Sequence, residues 1–180
     1  MACLIEKREA EMKKDVRLTS SLRSGLISKD SDEIWGVGSV DEANSFIGLA
    51  KVKSEGLTRE ILEKVQRKMF NVGAEMISGK EMITKKDVEE LEEIIREVGE
   101  KVEQPDKFII LEQDEITAYL SVARAVVRRA ERWAVRLNNE GKVGISLVEW
   151  LNKLSCLLYL LTLYELKGRY NVVQIEREVP

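Results

Sequence analysis

Apolar residues in this chain recur every three or four positions rather than every second, which is the spacing of helices and not of strands. The longest such stretch runs from Asp114 to Asn138. At about 100° per residue, Ile116, Leu120, Ala123, Val127, Ala130, Ala134 and Leu137 fall on one stripe that should face a core. Arg124, Arg128 and Arg132 step by four along a second stripe that begins at the edge of the first, so Arg124 and Glu131 are expected at a seam rather than in open water. Four more helices follow from the same pattern. Gly36 and Gly38 read as a hinge, and Ser39-Val40-Asp41-Glu42 as a capping box opening a helix through Phe46, Ile47 and Leu49 to Ser54. Thr58 is expected to cap a second, carrying Ile61, Leu62, Val65, Met69, Val72 and Met76 to Gly79, and Thr84 a third with Val88, Leu91, Ile95 and Val98 inside and an acidic outer face. The fifth follows Gly144, with Leu147, Leu151, Leu154, Leu158 and Leu161 as its ridge. Trp150, Leu157, Leu160 and Tyr164 lie off that ridge, so this helix is apolar most of the way round, which suggests burial against another subunit.

The predicted fold class is all-α, a five-helix antiparallel bundle. Its expected divisions are an irregular segment over residues 1–37, the bundle over 38–170 and a tail over 171–180. Within the first segment, Ala2 to Lys14 suits a short charged helix and Leu18 to Lys29 a serine-rich loop. Gln104-Pro105-Asp106 marks a turn, Phe108 to Leu111 an apolar entry to the central helix, and Val172 to Glu178 an extended end. The only prolines, Pro105 and Pro180, leave the helices uninterrupted.

Composition narrows the chemistry more than the fold. With 180 residues, 44% hydrophobic and 34% charged, the chain suits one globular domain. A net charge of −3 gives no nucleic-acid signature, and the basic character is confined to the central helix. The absence of histidine excludes histidine general bases, histidine metal sites and every Ser-His or Cys-His device, and no metal ligand set is expected. Cys3 and Cys156 are far apart, and Cys156, in an apolar helical run, is expected as a buried thiol. The first residues lack a hydrophobic signal core, and the most apolar run, Cys156 to Leu163, is shorter than the ~20 residues that span a bilayer. A cytoplasmic protein with no membrane partner is expected. There is no phosphate-binding glycine loop and no dinucleotide fingerprint. What remains is the arginine stripe, whose guanidiniums suit a polyanion such as a triphosphate through bidentate charge-assisted hydrogen bonds. The alternative is a solvated or salt-bridged helix face. Asn152, on the fifth-helix face shared with Cys156 and Tyr159, is either a satisfied core asparagine or a ligand group.

Three ordered segments resemble the signatures of one family, the trimeric ATP:cob(I)alamin adenosyltransferases of the PduO type. Val122 to Arg132 is similar to their x-A-R-x-x-x-R-R-A-E-R, Gly38 to Ser45 to their G-x-V-D-E-L-N-S, and Trp150 to Ser155 to their Y-L-N-R-L-S. Ser28-Lys29-Asp30 fits their S-K-D, and Phe108 precedes Arg124 at the spacing of their phenylalanine. The resemblance covers about residues 13–165. It implies a homotrimer with ATP at the subunit interfaces. The reaction would be transfer of the 5′-deoxyadenosyl group of ATP to the cobalt of cob(I)alamin, with triphosphate released and Mg²⁺ assisting. Cob(I)alamin is itself the nucleophile, so the protein need only position and stabilise charge. Asp15, Thr19, Lys29, Arg128, Arg129, Glu131, Arg132 and Asn152 would bind ATP, with Arg128 and Arg132 acting at the leaving triphosphate. Asp41 and Arg124 would form an intersubunit salt bridge, and Phe108 and Tyr159 would wall the lower face of the corrin. A corrinoid reductase is the implied protein partner.

The family's N-terminal loop, T-x-x-G-D-x-G-x-T, corresponds here to Lys13 to Thr19, with Lys14 and Arg17 in place of its glycines. Leu111-Glu112-Gln113 replaces a P-G-G turn, Ser121 a histidine and Cys156 an aspartate. Two further readings therefore stand beside the enzyme: a non-catalytic relative that binds corrinoid, nucleotide or a partner protein, and a helical nucleic-acid-binding module using the arginines.

Overall fold

A computed structural model describes residues 15–21, 23 and 25–173. Among these, five helices carry the fold: α1 Asp32–Lys53, α2 Gly56–Ser78, α3 Lys85–Gly99, α4 Glu115–Asn139 and α5 Ile145–Leu166. Two small antiparallel ribbons flank them. The strands β1 Leu18–Ser21 and β2 Gly25–Ser28 form a hairpin with Leu18 opposite Ser28, and β3 Ile109–Ile110 pairs with β4 Asn171–Val172.

The bundle is built outward from α4 and α5. On α4 the predicted stripe is the buried one: Leu120, Ala123, Val127, Ala130, Ala134 and Leu137 are fully enclosed, with α1 on one side and α5 on the other. The helix starts where the sequence places it. The Asp114 carboxylate accepts the Thr117 amide at 2.9 Å, and the Thr117 hydroxyl accepts the Asp114 amide at 3.0 Å. Helix α2 packs antiparallel on α1, and α3 lies on α5. Glu92 meets Lys153 at 2.8 Å and Gly99 lies against Leu160, so α3 and α5 run in the same direction while chain neighbours alternate.

That arrangement disposes of the apolar circumference of α5 inside one chain. Trp150, Leu157 and Leu160 are buried, as is the ridge from Leu147 to Leu161, because α3 covers the side that α4 leaves open. Packing within one chain therefore accounts for Trp150, Leu157 and Leu160 without a subunit contact, whereas Tyr164 stays half-buried. The 22-residue α5 is also long and apolar enough to cross a membrane by length and composition, although its most apolar run alone is not; here it is the core helix of the bundle.

A buried carboxylate holds the helix ends in register. Glu75, near the end of α2, accepts backbone N–H groups from Met82 at 2.8 Å, Ile83 at 2.9 Å and Gly144 at 3.0 Å. It thereby ties α2 to the loop before α3 and to the start of α5, and the three amides supply the hydrogen bonds that a buried carboxyl group requires.

Several local expectations are corrected. Helix α1 begins at Asp32 and passes through Gly36 and Gly38, so there is no hinge. Gly36 is there for close packing: a Cβ would lie 3.1 Å from the Met76 sulfur and 3.5 Å from Trp133. Ser39 is internal to the helix and donates to the Trp35 carbonyl at 2.9 Å rather than capping Glu42. Thr58 lies inside the first turn of α2, buried, with its hydroxyl donating to Glu165 across the bundle. Leu18 to Lys29 is a hairpin and not a loop, with Ser21 anchored on the Ile77 carbonyl at 3.1 Å. The Ala2–Lys14 helix and the end of the tail beyond Val173 lie outside the described residues.

The start of α3 gives a test with a pH signature. Thr84 and Asp87 form a reciprocal capping box, and Lys68 of α2 pairs with Asp87. Burial pushes the Asp87 carboxyl up, but hydrogen bonds from Lys68 and Thr84 outweigh it and hold the group below its ordinary range. A depressed carboxylate stabilises the fold fully above that ordinary range, and its contribution is lost as pH falls through the depressed value. Asp87→Ala should cost about 1–2 kcal/mol at neutral pH, from the lost cap and ion pair. In denaturant titrations the gap between the two proteins should close on acidification; a gap independent of pH would contradict this account.

Candidate functional site

The outer face of α4 separates three groups of the predicted residues. Toward α1, Arg129 pairs with Glu42, Trp133 stacks on Trp35, and Arg136 reaches Asp32 at 2.6 Å. Toward α5, Glu131 accepts the side-chain amide of Asn152 at 2.8 Å. Arg128 and Arg132 stand on the ridge between, exposed, and among the described residues neither has a carboxylate within the 4.0 Å of an ion pair. One turn back, the Arg124 guanidinium lies over the Tyr159 ring, 5.6 Å from its centroid.

Helix α5 reaches the surface along a single narrow stripe. Ile145, Glu149, Asn152 and Cys156 are its exposed residues, and half-buried Tyr159 continues the line. The stripe runs beside the Glu131-to-Arg124 edge of α4, with Asn152 against Glu131 and Tyr159 against Arg124. Asn152 is not a core asparagine; it is an exposed donor to Glu131. The Cys156 thiol, expected to be buried, is exposed because it falls on this stripe rather than on the leucine ridge.

At the Tyr159 end, a cleft of about 480 Å³ is lined by Phe108, Tyr159 and Arg124 together with Pro105 and Leu111. Phe108 is 70% exposed, a costly position for a phenyl ring unless something covers it. Its backbone is held by the β3–β4 pairing and by the Val173 amide donating to its carbonyl at 2.7 Å. The two residues expected at the corrin thus share one cleft.

On the α1 side, a second cleft of about 510 Å³ is lined by Lys29, Ser39, Glu42, Arg129 and the two tryptophans. Lys29 is placed by the hairpin, since its amide donates to the Arg17 carbonyl at 2.8 Å, closing the open end of β1–β2. Thr19 lies in β1 opposite Ile27. Asp15, just before β1, is engaged by Arg17, whose guanidinium donates to its two oxygens at 2.9 and 2.8 Å and holds its carboxyl below the usual range. Arg17, expected to stand in place of a loop glycine, thus also engages the neighbouring carboxylate.

The structure therefore brings together Lys29 with Arg129, Glu131 with Asn152, and Phe108 with Tyr159. Within one chain it does not join Asp41 to Arg124; Asp41 is exposed on α1 with no ion-pair partner among the described residues. Sequence reasoning missed Glu42, taken only for a cap partner, and the Trp35–Trp133 pair. The signal was present in Trp133, which follows directly on the arginine motif at the wheel position facing α1.

Comparisons with known proteins agree on one family. The family description "Cobalamin adenosyltransferase" matches residues 12–165. A corrinoid adenosyltransferase of Bacillus subtilis (strain 168) is 32% identical over 146 residues, which cover 76% of this chain and 75% of that one. The corrinoid adenosyltransferase PduO of Salmonella typhimurium is 31% identical over 155 residues, 82% of this chain but only 46% of the larger protein. Among solved structures, a variant PduO-type ATP:corrinoid adenosyltransferase from Lactobacillus reuteri, complexed with cobalamin and ATP, superposes with a TM-score of 0.79. It is 22% identical, and the match covers 92% of this chain and 95% of that one, which shows a shared fold.

Since Arg128 and Arg132 have no ion-pair partner among the described residues, neither should matter to the folding of the bundle. Arg128→Ala and Arg132→Ala are each expected to change unfolding free energy by less than about 0.5 kcal/mol. A loss above about 1 kcal/mol in chemical denaturation would reveal a structural partner and weaken their assignment to a ligand.

Proposed function

The chain belongs to the cobalamin adenosyltransferase family, and from that premise we propose how its residues transfer the 5′-deoxyadenosyl group of ATP to a corrinoid. The lone pair of Co(I) attacks C5′ of ATP, the cobalt–carbon bond forms, and the C5′–O bond breaks with its electrons leaving on triphosphate. The cobalt centre becomes Co(III). No protein base or covalent nucleophile is needed, which suits a chain without histidine. The observation that carries this reading is the pair of ridge guanidiniums, Arg128 and Arg132, exposed between the two clefts and unneutralised among the described residues. They would bind the phosphates and stabilise the charge that develops on the leaving group, while Lys29 and Arg129 flank it from the α1 cleft. Glu131 and Asn152, already hydrogen-bonded to each other, would fix the ribose side. Asp15 and Thr19 would approach from the hairpin. Phe108 and Tyr159 would present an apolar wall to the lower corrin face.

Among the described residues no group of three or more acidic or cysteine side chains is placed to hold a metal. Magnesium in this reading arrives on the triphosphate, and its chemistry is to neutralise phosphate charge. The corrinoid must arrive reduced, so a corrinoid reductase is the partner that this reaction calls for. Assembly is proposed to be a homotrimer, with Asp41 of one chain meeting Arg124 of the next. Supporting it, Asp41 shares the outer side of α1 with exposed Val52, and exposed Leu49 and Val122 lie at the α1–α4 junction. A guanidinium can stack on Tyr159 by its face and still donate to a carboxylate in its plane.

One observation favours a second reading, a relative that binds without turnover: the Asp15 carboxylate is occupied by Arg17. Anaerobic assay of purified protein with cob(I)alamin and MgATP separates the two. The proposal expects adenosylcobalamin to form, with kcat reduced by roughly 10²–10³ in Arg128→Ala; no turnover by the unmodified protein would leave only the binding role. Arg17→Gly should release Asp15 and lower KM for ATP, by roughly threefold to tenfold, the worth of one exposed charged hydrogen bond. An unchanged KM would show that Arg17 does not restrain the loop.

A further inference from the structure

The tryptophan pair between α1 and α4 has no role in that mechanism. Trp35 and Trp133 stack with ring centroids 6.2 Å apart and planes 14° from parallel. Trp35 nevertheless keeps 56% of its surface in water, so the stack secures its orientation without burying it. The pair is braced from behind: Arg136 lies 5.8 Å from the Trp133 ring centroid and is itself tied to Asp32 at 2.6 Å. Both rings line the cleft that holds Lys29, Glu42 and Arg129, and Gly38 at its floor has open space where a side chain would stand. A flat, pre-oriented aromatic surface therefore sits beside two cations, one of them restrained at the rim by Glu42.

We infer that Trp35 is the stacking platform for the base of the nucleotide, with Trp133 as its backing. The inference rests on the nucleotide reading above and adds to it the group that distinguishes a nucleoside triphosphate from bare triphosphate. Lys29 and the guanidiniums recognise phosphate alone. A ring face recognises a base through its π surface, and it does so with little regard to which base, because every base has one. Position 35 accordingly governs affinity for the nucleoside and leaves phosphate recognition to the cations.

The test is calorimetric titration of the full-length protein, Trp35→Gln and Trp35→Phe with MgATP and with magnesium tripolyphosphate. Trp35→Gln replaces a half-exposed ring by a soluble side chain, and Trp35→Phe keeps an aromatic face should the first variant be misfolded. ATP affinity should fall about tenfold in Trp35→Gln, within the contribution of one base–aromatic stack, while tripolyphosphate affinity stays unchanged and Trp35→Phe keeps most of the ATP affinity. Trp150 is only 3% exposed, so quenching of tryptophan fluorescence by ATP should report the pair and disappear with position 35. ATP affinity indifferent to position 35, or an equal loss for both ligands, would overturn the platform and leave the nucleotide site standing. Unmodified protein that binds neither ligand would remove the nucleotide site and the platform together.

Discussion

Burial of the last helix is the constraint on which the rest of this structure depends. Along α5, leucine or tryptophan occupies so many positions that no broad polar face exists, and each such side chain left in water would forgo roughly 1.5–3 kcal/mol. Two helices must therefore cover it from different sides. Helix α4 does so antiparallel, and α3, returning past the end of α2, does so in parallel. Glu75 makes the return possible by gathering the amides of Met82, Ile83 and Gly144 where three segments meet. Once both sides are covered, the exposed residues of α5 lie on the stripe through Asn152 and Cys156 that leads to half-buried Tyr159, beside the arginine edge of α4. The position of the candidate site follows from what the core leaves uncovered.

The arginine ridge itself contributes nothing to that core. Like charges four residues apart on a helix are mildly unfavourable, by a few tenths of a kcal/mol per pair. The chain offsets similar charges elsewhere: Arg129 by Glu42, Arg136 by Asp32, Lys142 by Glu33 and Glu140. Leaving Arg128 and Arg132 unneutralised among the described residues while neighbouring cations are paired is what a phosphate site needs and what a merely solubilising face does not. The same contrast holds for the aromatics, since Trp150 is enclosed while Trp35 and Phe108 are held open at the edges of clefts.

Much of the architecture was legible in the sequence wherever local chemistry and periodicity agreed. The α4 stripe, the Asp114 start, the Thr84 capping box and the left-handed Gly79 end each combine a periodic apolar face with a side chain suited to its terminus. Failures came where tertiary packing assigned a residue to a different task. Gly36 reads as a hinge in isolation and is a contact surface for Met76 and Trp133; Ser39 reads as a cap and bonds back within its own helix. The hairpin was hidden because its four-residue strands lack apolar alternation and are held by backbone pairing. The apolar girth of α5 was legible but its partner was not, because a sequence shows that a surface is buried and not what buries it. At the site, residue types and spacing pointed to phosphate-binding guanidiniums, whereas the division of α4 into three neighbourhoods and the Trp35–Trp133 cleft required coordinates.

The account stands or falls on whether the ridge of α4 holds the triphosphate. The most direct measurement is the rise in unfolding temperature of the full chain on adding MgATP, compared with the same rise in Arg128→Ala. Ligand at a hundredfold excess over Kd stabilises a protein by about 2.7 kcal/mol, which for a chain of this length corresponds to roughly 5–10 °C. The account predicts that shift in the unmodified protein and its near-complete loss in Arg128→Ala. An equal shift in both proteins would place the nucleotide elsewhere and contradict it.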